Sequence, residues 1–503
     1  MRLFRYLWSV LPAFHFVAAA TKSKLLAGGT IVAFDKVSGL FDVIRNGSLL
    51  LEGGRIISIF DESTPPSNSP GTEIVDCHNK IITPGFVDTH RHGWQTAFKT
   101  LGSNSTLGEY RSLFSALAGL QLFTPNELYV SQLAGIYQAQ AAGVTTMLDH
   151  AHHTWTEEHA AAGWDASVNS GARVFFGYAF MNTSTNFQVP QQMEHWRKLH
   201  ASSPSNLATL CISYDYFSDN PESITKSVVD LAKESNVAVL TSHQVEGPWL
   251  LGNTPEDLYR AGILNSSIPV VISHSAFLTA RGSMLLRNTN QYISITPESE
   301  MHYGHTHPSS HLILDQASLG VDTHFAFSAD ILSQARLWLQ RVRERFYSYT
   351  LSGRWLVPDR NPMSVNQAFL LATRRGGVAL KREDLGIIAV NATADIVVWD
   401  GRSPALLGWT DPIAAVILHA SIGDIDHVIV NGNFVKRDKK IVIDGYEKIE
   451  DRFLEVAASV QAKVKALGFP PQVGSFSTGF PYGPVAQADV ERGPGTGYGP
   501  SYA

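Results

Sequence analysis

Eight apolar runs, most of them separated by stretches of helical character, punctuate the middle of this sequence. They end at Thr89-His90, Asp149-His150, Tyr178, Tyr214-Asp215, His243, His274, Thr296-Pro297 and Asp330. Segments such as Pro221 to Ser235 and Ser333 to Tyr347 read as the helices between them. Near-continuous apolar strands alternating with helices call for a parallel sheet buried on both faces. Eight such units in one domain predict a closed (β/α)8 barrel (a TIM barrel) rather than an open sheet. In that architecture the chemistry collects at the C-terminal ends of the strands, which is where the polar residues of these runs stand.

The barrel is expected over residues 83–384. Short strand-like runs precede it, Lys24 to Ile31, Gly47 to Leu51 and Arg55 to Phe60, with Gly53-Gly54 as a hairpin signal. Similar runs follow it, Ala394 to Trp399, His427 to Val430 and Asn433 to Val435, with an Asn431-Gly432 turn. Neither block is large enough to stand alone. Residues 22–82 and 385–445 are therefore expected to pair into one small β-sandwich domain. Residues 446–467 read as a C-terminal helix, and 468–503 as a flexible Gly/Pro-rich tail.

At the other end, Arg2 and Arg5 precede an apolar stretch, Tyr6 to Ala20, that closes on Ala18-Ala19-Ala20. This has the form of a secretory signal peptide over residues 1–20, with a cytoplasmic extension as the alternative. Asn-x-Ser/Thr sites begin at Asn46, Asn104, Asn182, Asn265 and Asn391, so a secreted chain would be a candidate glycoprotein. No other apolar run reaches the ~20 residues of a membrane span. The net charge of -6 and the absence of a basic block give no sign of nucleic-acid binding. The chain has 2 cysteines, Cys77 and Cys211, both within apolar runs, which excludes a disulfide framework.

The 19 histidines matter because several fall at predicted strand ends. His90 and His92 lie two apart on the first run, so both imidazoles point to one face. His243 ends the fifth run, His274 the sixth, and Asp330 the eighth. Each alone has an ordinary structural explanation, a hydrogen bond to a loop carbonyl or a helix cap. Together they converge on one mouth as a metal site. Imidazoles plus one carboxylate suit one divalent ion per chain, zinc first and iron second. Such an ion lowers the pKa of a bound water to about 7.

Pro84-Gly85-Phe86-Val87-Asp88-Thr89-His90-Arg91-His92 and the His-x-x-Glu that begins at His243 resemble the amidohydrolase superfamily, in its cytosine deaminase and chlorohydrolase-like branch. The resemblance runs from about Lys24 to Val442. It implies that His90, His92, His243 and Asp330 hold the ion. It further implies that His274 contacts the attacking water or the substrate and that Glu246 shuttles protons; on chemical grounds Asp330 can accept the water's proton while remaining a ligand. The fourth run, Leu207 to Asp215, has no lysine to bridge a second metal, so a mononuclear centre is expected.

Two His-rich segments, Asp149 to His153 and Thr296 to His307, are expected over the mouth. Trp94, Gln95, His150, His152, Glu298 and His302 are the candidate pocket residues. The leading functional reading is hydrolytic deamination of a heterocyclic amidine, a small-molecule carbon–nitrogen substrate. Cyclic-amide hydrolysis and dehalogenation are the enzymatic alternatives, and an inactive binding barrel the non-enzymatic one. The branch often forms homodimers.

Overall fold

The computed structural model describes residues 23–63, 71–203 and 207–485. The expected signal peptide, and the tail beyond residue 485, lie outside the described residues.

The chain opens with five strands, β1 (Lys24–Asp35), β2 (Leu40–Glu52), β3 (Arg55–Phe60), β4 (Glu73–Asp76) and β5 (Lys80–Pro84). Eight further strands follow: β6 (Phe86–Arg91), β7 (Val144–Ala151), β8 (Arg173–Phe180), β9 (Thr209–Tyr214), β10 (Leu240–Val245), β11 (Val270–Ala276), β12 (Tyr292–Ile295) and β13 (Ala317–Leu319). They pair in parallel in sequence order. All residues of β6, β7 and β8 are buried, as strands covered on both faces must be. This is the expected (β/α)8 barrel.

Late strands β14 (Ile396–Asp400), β15 (Ile425–Val430), β16 (Asn433–Arg437) and β17 (Lys440–Ile441) return to the first group. Antiparallel pairing of β14 with β5, from Ile396↔Pro84 to Asp400↔Lys80, joins the flanking segments into one 9-stranded mixed sheet. Its core gathers Leu26, Ile31, Leu49, Ile56, Ile82, Ile396, Val398 and Ile429. The Arg173 guanidinium reaches Asp395 at 3.1 Å and ties this sheet to β8.

The eighth strand differs from the sequence expectation. The run ending at Asp330 is not a strand. Phe325 is buried, but in a cluster with Phe98 and Phe114 outside the barrel wall. The eighth strand is the short β13, which ends at Leu319 ahead of that run, and the chain just after it closes the barrel. The backbone amides of Val321 and Asp322 donate to His90 O at 3.0 and 2.9 Å. Asp88 Oδ1 accepts from the amides of both His90 and Val321, each at 3.2 Å. Gly320 permits the approach, since a Cβ there would stand 2.8 Å from the His90 backbone.

The helix Tyr446–Leu467 is present as expected. Val456, Val460 and Val464, four apart, form its buried stripe against the barrel's outer helices. The described part of the tail, residues 468–485, does not run free. It folds back over the barrel mouth in a small hairpin, with Phe476 N donating to Phe480 O at 2.8 Å and Tyr482 N to Gly474 O at 3.0 Å.

Candidate metal centre

Strand ends deliver four ligand atoms to one point. His90 and His92 come from β6, His243 from β10, and Asp322 from the turn after β13. Asp322 Oδ1 stands 3.2 Å from His90 Nε2 and 3.1 Å from His92 Nε2. His243 Nε2 stands 3.2 Å from His92 Nε2.

The outer ring nitrogens fix what these atoms are. His92 Nδ1 donates to the His150 carbonyl at 2.8 Å, so in the neutral ring its Nε2 is a bare lone pair. His243 Nδ1 donates to Asp215 Oδ2 at 2.9 Å, with the same result. Two lone pairs therefore face each other across 3.2 Å, an arrangement a cation between them turns from repulsive to favourable. His90 Nδ1 pairs with Ser273 Oγ at 2.7 Å, and Asp322 Oδ2 with Ser299 Oγ at 2.5 Å. Every ligand thus has an outer partner, and the set fits one divalent ion of the zinc or iron type.

The electrostatics agree. Burial pushes the His90 imidazole well below its usual range, so it stays neutral. Burial would raise the Asp322 carboxyl, but its close histidine neighbours, His90 and His92 foremost, hold it well below the usual range. Asp215 behaves alike: burial opposes its charge, and His243 and His150 outweigh it. Asp215 also accepts from the His243 backbone amide at 2.7 Å, and so orients both ring and strand.

The second sphere continues through His274 at the end of β11. Its φ of 68° lies in the left-handed region, an uncommon conformation for a residue with a side chain, and it turns the ring over the centre. His274 Nδ1 is held by Thr296 Oγ1 at 2.9 Å and Glu300 Oε1 at 3.2 Å. Glu300 is fully buried. Burial would raise it, but His307, in close contact, and His274 bring its carboxyl down to about 2.

The structure corrects the carboxylate ligand. Asp330 caps the helix Ile331–Ser348, its Oδ1 accepting from Ser333 N at 2.5 Å, and stands outside the cluster. Asp322 takes its place. The signal was weak: in Ala317-Ser318-Leu319-Gly320-Val321-Asp322 a short run of small and apolar residues stops at an acid.

The other candidates separate into cavity wall and support. His152 lines the cavity above the ligand cluster. Trp94 is buried behind it, donating from Nε1 to His152 Nδ1 at 3.1 Å. Gln95 is locked by its amide on the Phe114 carbonyl at 2.7 Å. His150 lies beneath His243, 3.1 Å from Asp215. Glu298 is engaged by Gln334 at 2.9 Å, and His302 by the Gly102 carbonyl at 3.0 Å, both away from the cavity. In the Thr-Pro-Glu-x-Glu segment the residue at the site is Glu300, the next acid along from Glu298. Glu246 is half-buried beyond the end of β10 and does not line the cavity. Burial first, then Asp257 and Glu256, raise its carboxyl.

Above the ligands lies a cavity of about 440 Å³. Its floor is His92, His243, His274 and Asp322; its walls include Tyr110, Arg111, Tyr216, Leu251, Tyr303 and His305. Sequence reasoning placed the Thr296 to His307 segment at the mouth without singling out Glu300, Tyr303 or His305, and it missed Asp215, Asp322 and the other wall residues.

Comparison with known proteins agrees with this geometry. The profile of the amidohydrolase family matches residues 81–435. A 5-methylthioadenosine/S-adenosylhomocysteine deaminase of Pyrococcus abyssi is 25% identical over 462 residues, covering 87% of this chain and 99% of the relative. A 5'-deoxyadenosine deaminase of Methanothermobacter thermautotrophicus is 22% identical, covering 84% of this chain and 95% of the relative. Among solved structures, an adenosine deaminase from Xanthomonas campestris with bound zinc superposes with a TM-score of 0.74 at 15% identity, covering 88% of this chain and 99% of its own. The zinc complex of atrazine chlorohydrolase from Arthrobacter aurescens gives a TM-score of 0.74 at 17% identity, covering 86% of this chain and 100% of its own. The chain belongs to the amidohydrolase family and is a metal-dependent hydrolase of carbon–nitrogen bonds other than peptide bonds.

Proposed function

We propose that the chain is a mononuclear hydrolytic deaminase of an aminated heterocycle, an adenine-type ring foremost. The observation that carries the reading is the facing pair of His92 and His243 lone pairs beside Asp322, at the base of the cavity. The choice of amine and ring rests on the deaminase relatives.

A divalent ion held by His90, His92, His243 and Asp322 supplies the Lewis acidity that makes water nucleophilic at neutral pH. The protein's own groups do the rest. Asp322, kept ionised by its histidine neighbours, takes the proton from the attacking water. His274, held at Nδ1 by Thr296 and Glu300, presents Nε2 to the cavity, where it accepts the water-derived proton from Asp322 and passes it on to the leaving amine. Tyr110, Tyr216 and Tyr303 give flat walls for a ring and exclude water around it.

The test is elemental analysis of purified protein together with ammonia release from adenosine, 5'-deoxyadenosine, 5-methylthioadenosine, S-adenosylhomocysteine and guanine. About one zinc or iron per chain, with ammonia from at least one compound, supports the reading. A fully metal-loaded protein that releases ammonia from none of them overturns it.

The N-terminal segment also supports entry to the secretory pathway. The acceptor residues Asn46, Asn104, Asn182, Asn265 and Asn391 are all exposed, as glycosylation requires. A mature N-terminus near Thr21 and a mass drop on endoglycosidase treatment are expected; an intact Met1 in protein from the native source refutes it.

A further inference from the structure

The family profile ends at residue 435, yet the chain beyond it reaches the cavity. The hairpin over residues 474–482 is closed by the Ser475↔Pro481 bridge, and Ser477 and Thr478 at its tip line the cavity wall. Phe476 pins it there. That ring is 6% exposed and packs with Leu107 and Tyr303, its centroid 5.1 Å from Trp249 edge-on. Gln472 and Tyr482 close on Gly108 from the other side, and a Cβ at Gly108 would stand 1.9 Å from Gln472 Oε1.

The Arg111 guanidinium lies over the Phe476 ring, 5.6 Å from its centroid, and lines the same cavity. Among the described residues no carboxylate comes within ion-pair distance of it. Of the two acids that act on it through space, Asp215 is committed to His243 and His150. Asp219 stands exposed at the rim. Thr478 Oγ1 is buried without a hydrogen-bond partner. A cation without an ion-pair partner and a hydroxyl without a hydrogen-bond partner, on two residues that line one cavity, suit a hydrogen-bond acceptor.

We propose that the C-terminal hairpin is a wall of the substrate cavity, and that Arg111 and Thr478 form an outer subsite for an acceptor-bearing substituent, a carboxylate foremost. The proposal rests on the cavity being the substrate site. The ring to be hydrolysed sits on the histidine floor, and its substituent points outward to the hairpin. Phe476 stacks on the guanidinium and holds it toward the cavity.

The test uses the full chain and needs no turnover. Both native cysteines are buried, so a Ser477→Cys variant, at the exposed cavity-lining neighbour of Thr478, carries one accessible thiol. Its alkylation by anionic iodoacetate and by neutral iodoacetamide is timed, with Val485→Cys as an exposed reference. The iodoacetate-to-iodoacetamide rate ratio of the thiol introduced on the hairpin is expected to exceed that of the reference. Adding Arg111→Met should lower it by about threefold or more, and Arg111→Lys should restore most of it. A ratio equal to the reference, or one that Arg111→Met does not move, overturns the subsite. In parallel, Phe476→Ala and Arg111→Met should raise KM for S-adenosylhomocysteine more than for 5'-deoxyadenosine. If no substrate releases ammonia while the labelling ratio behaves as expected, the deaminase reading fails and the subsite stands.

Discussion

The floor and the rim of the cavity are built on different rules. Every floor group comes from the end of a barrel strand or the turn just after it, and each has its second atom fixed: His92 by a carbonyl, His243 by Asp215, His90 by Ser273, Asp322 by Ser299, His274 by Thr296 and Glu300. The rim comes from a short helix at Leu107–Leu113, from residues 250–253, from Tyr303 and His305, and from the C-terminal hairpin. Several of its polar atoms, on His305 and Thr478, have no partner. Groups already satisfied by the protein hold one geometry for one reaction. Groups left unsatisfied wait for a ligand.

If that contrast holds, the largest effect belongs to the floor carboxylate. Asp322→Ala should abolish bound metal and turnover, whereas Asp330→Ala should keep both and lose about 1 kcal/mol of stability as a missing helix cap. Metal analysis and urea melts decide it, and the reverse pattern would return the ligand to Asp330. Next comes the support beneath the floor. Asp215→Asn leaves His243 in place but weakens its orientation, and about 10–100-fold should be lost in metal affinity or kcat/KM. A loss confined to KM would mean that Asp215 contacts substrate instead.

The rim is sharpened by pH. Burial, with His274 second, lowers the His305 imidazole to about 3. A histidine bound neutral in the fold and protonated when unfolded removes stability as pH falls from about 6.5 toward about 3. In the metal-free protein, His305→Leu should therefore gain on the wild type between pH 7 and pH 5, by up to about 2 kcal/mol. Parallel urea midpoints at the two pH values would show the ring to be solvated instead. The smallest effect expected is that of Glu246→Gln. A general acid contributes about 10²–10⁴-fold, but this carboxylate faces Asp257 and Glu256 outside the cavity, so the loss in kcat should stay below about tenfold. A hundredfold drop would move the proton shuttle from His274 to Glu246.

Most of the floor was legible in the sequence because strand ends combine two signals, an apolar run and a polar stop. His90, His92, His243 and His274 all carry both. Asp322 carries them weakly. Its strand is three residues long and its approach to His90 depends on Gly320, a contact no local pattern encodes. Phe325-Ala326-Phe327 imitated a strand because burial in an aromatic cluster produces the same apolar run. The composite sheet was readable from matching strand blocks at the two flanks. The rim was not. Arg111 and Phe476 are more than 360 residues apart and meet only in three dimensions. Glu298 and Glu300 are equivalent on paper, and only the turn of the helix after β12 decides between them.

The pairing of β5 with β14 also sets a schedule for making the protein. The first strands to leave the ribosome pair among themselves, but β5 has no partner on its other side until residues 396–400 follow, an interval on the order of tens of seconds at ordinary translation rates. During that time β1 to β5 present a half-built sheet with an open edge beside β5, where an unpaired strand invites wrong partners. Truncated chains that stop before β14 should therefore aggregate even when the whole barrel has been synthesised, and the yield of intact protein should depend on chaperones that bind this edge early.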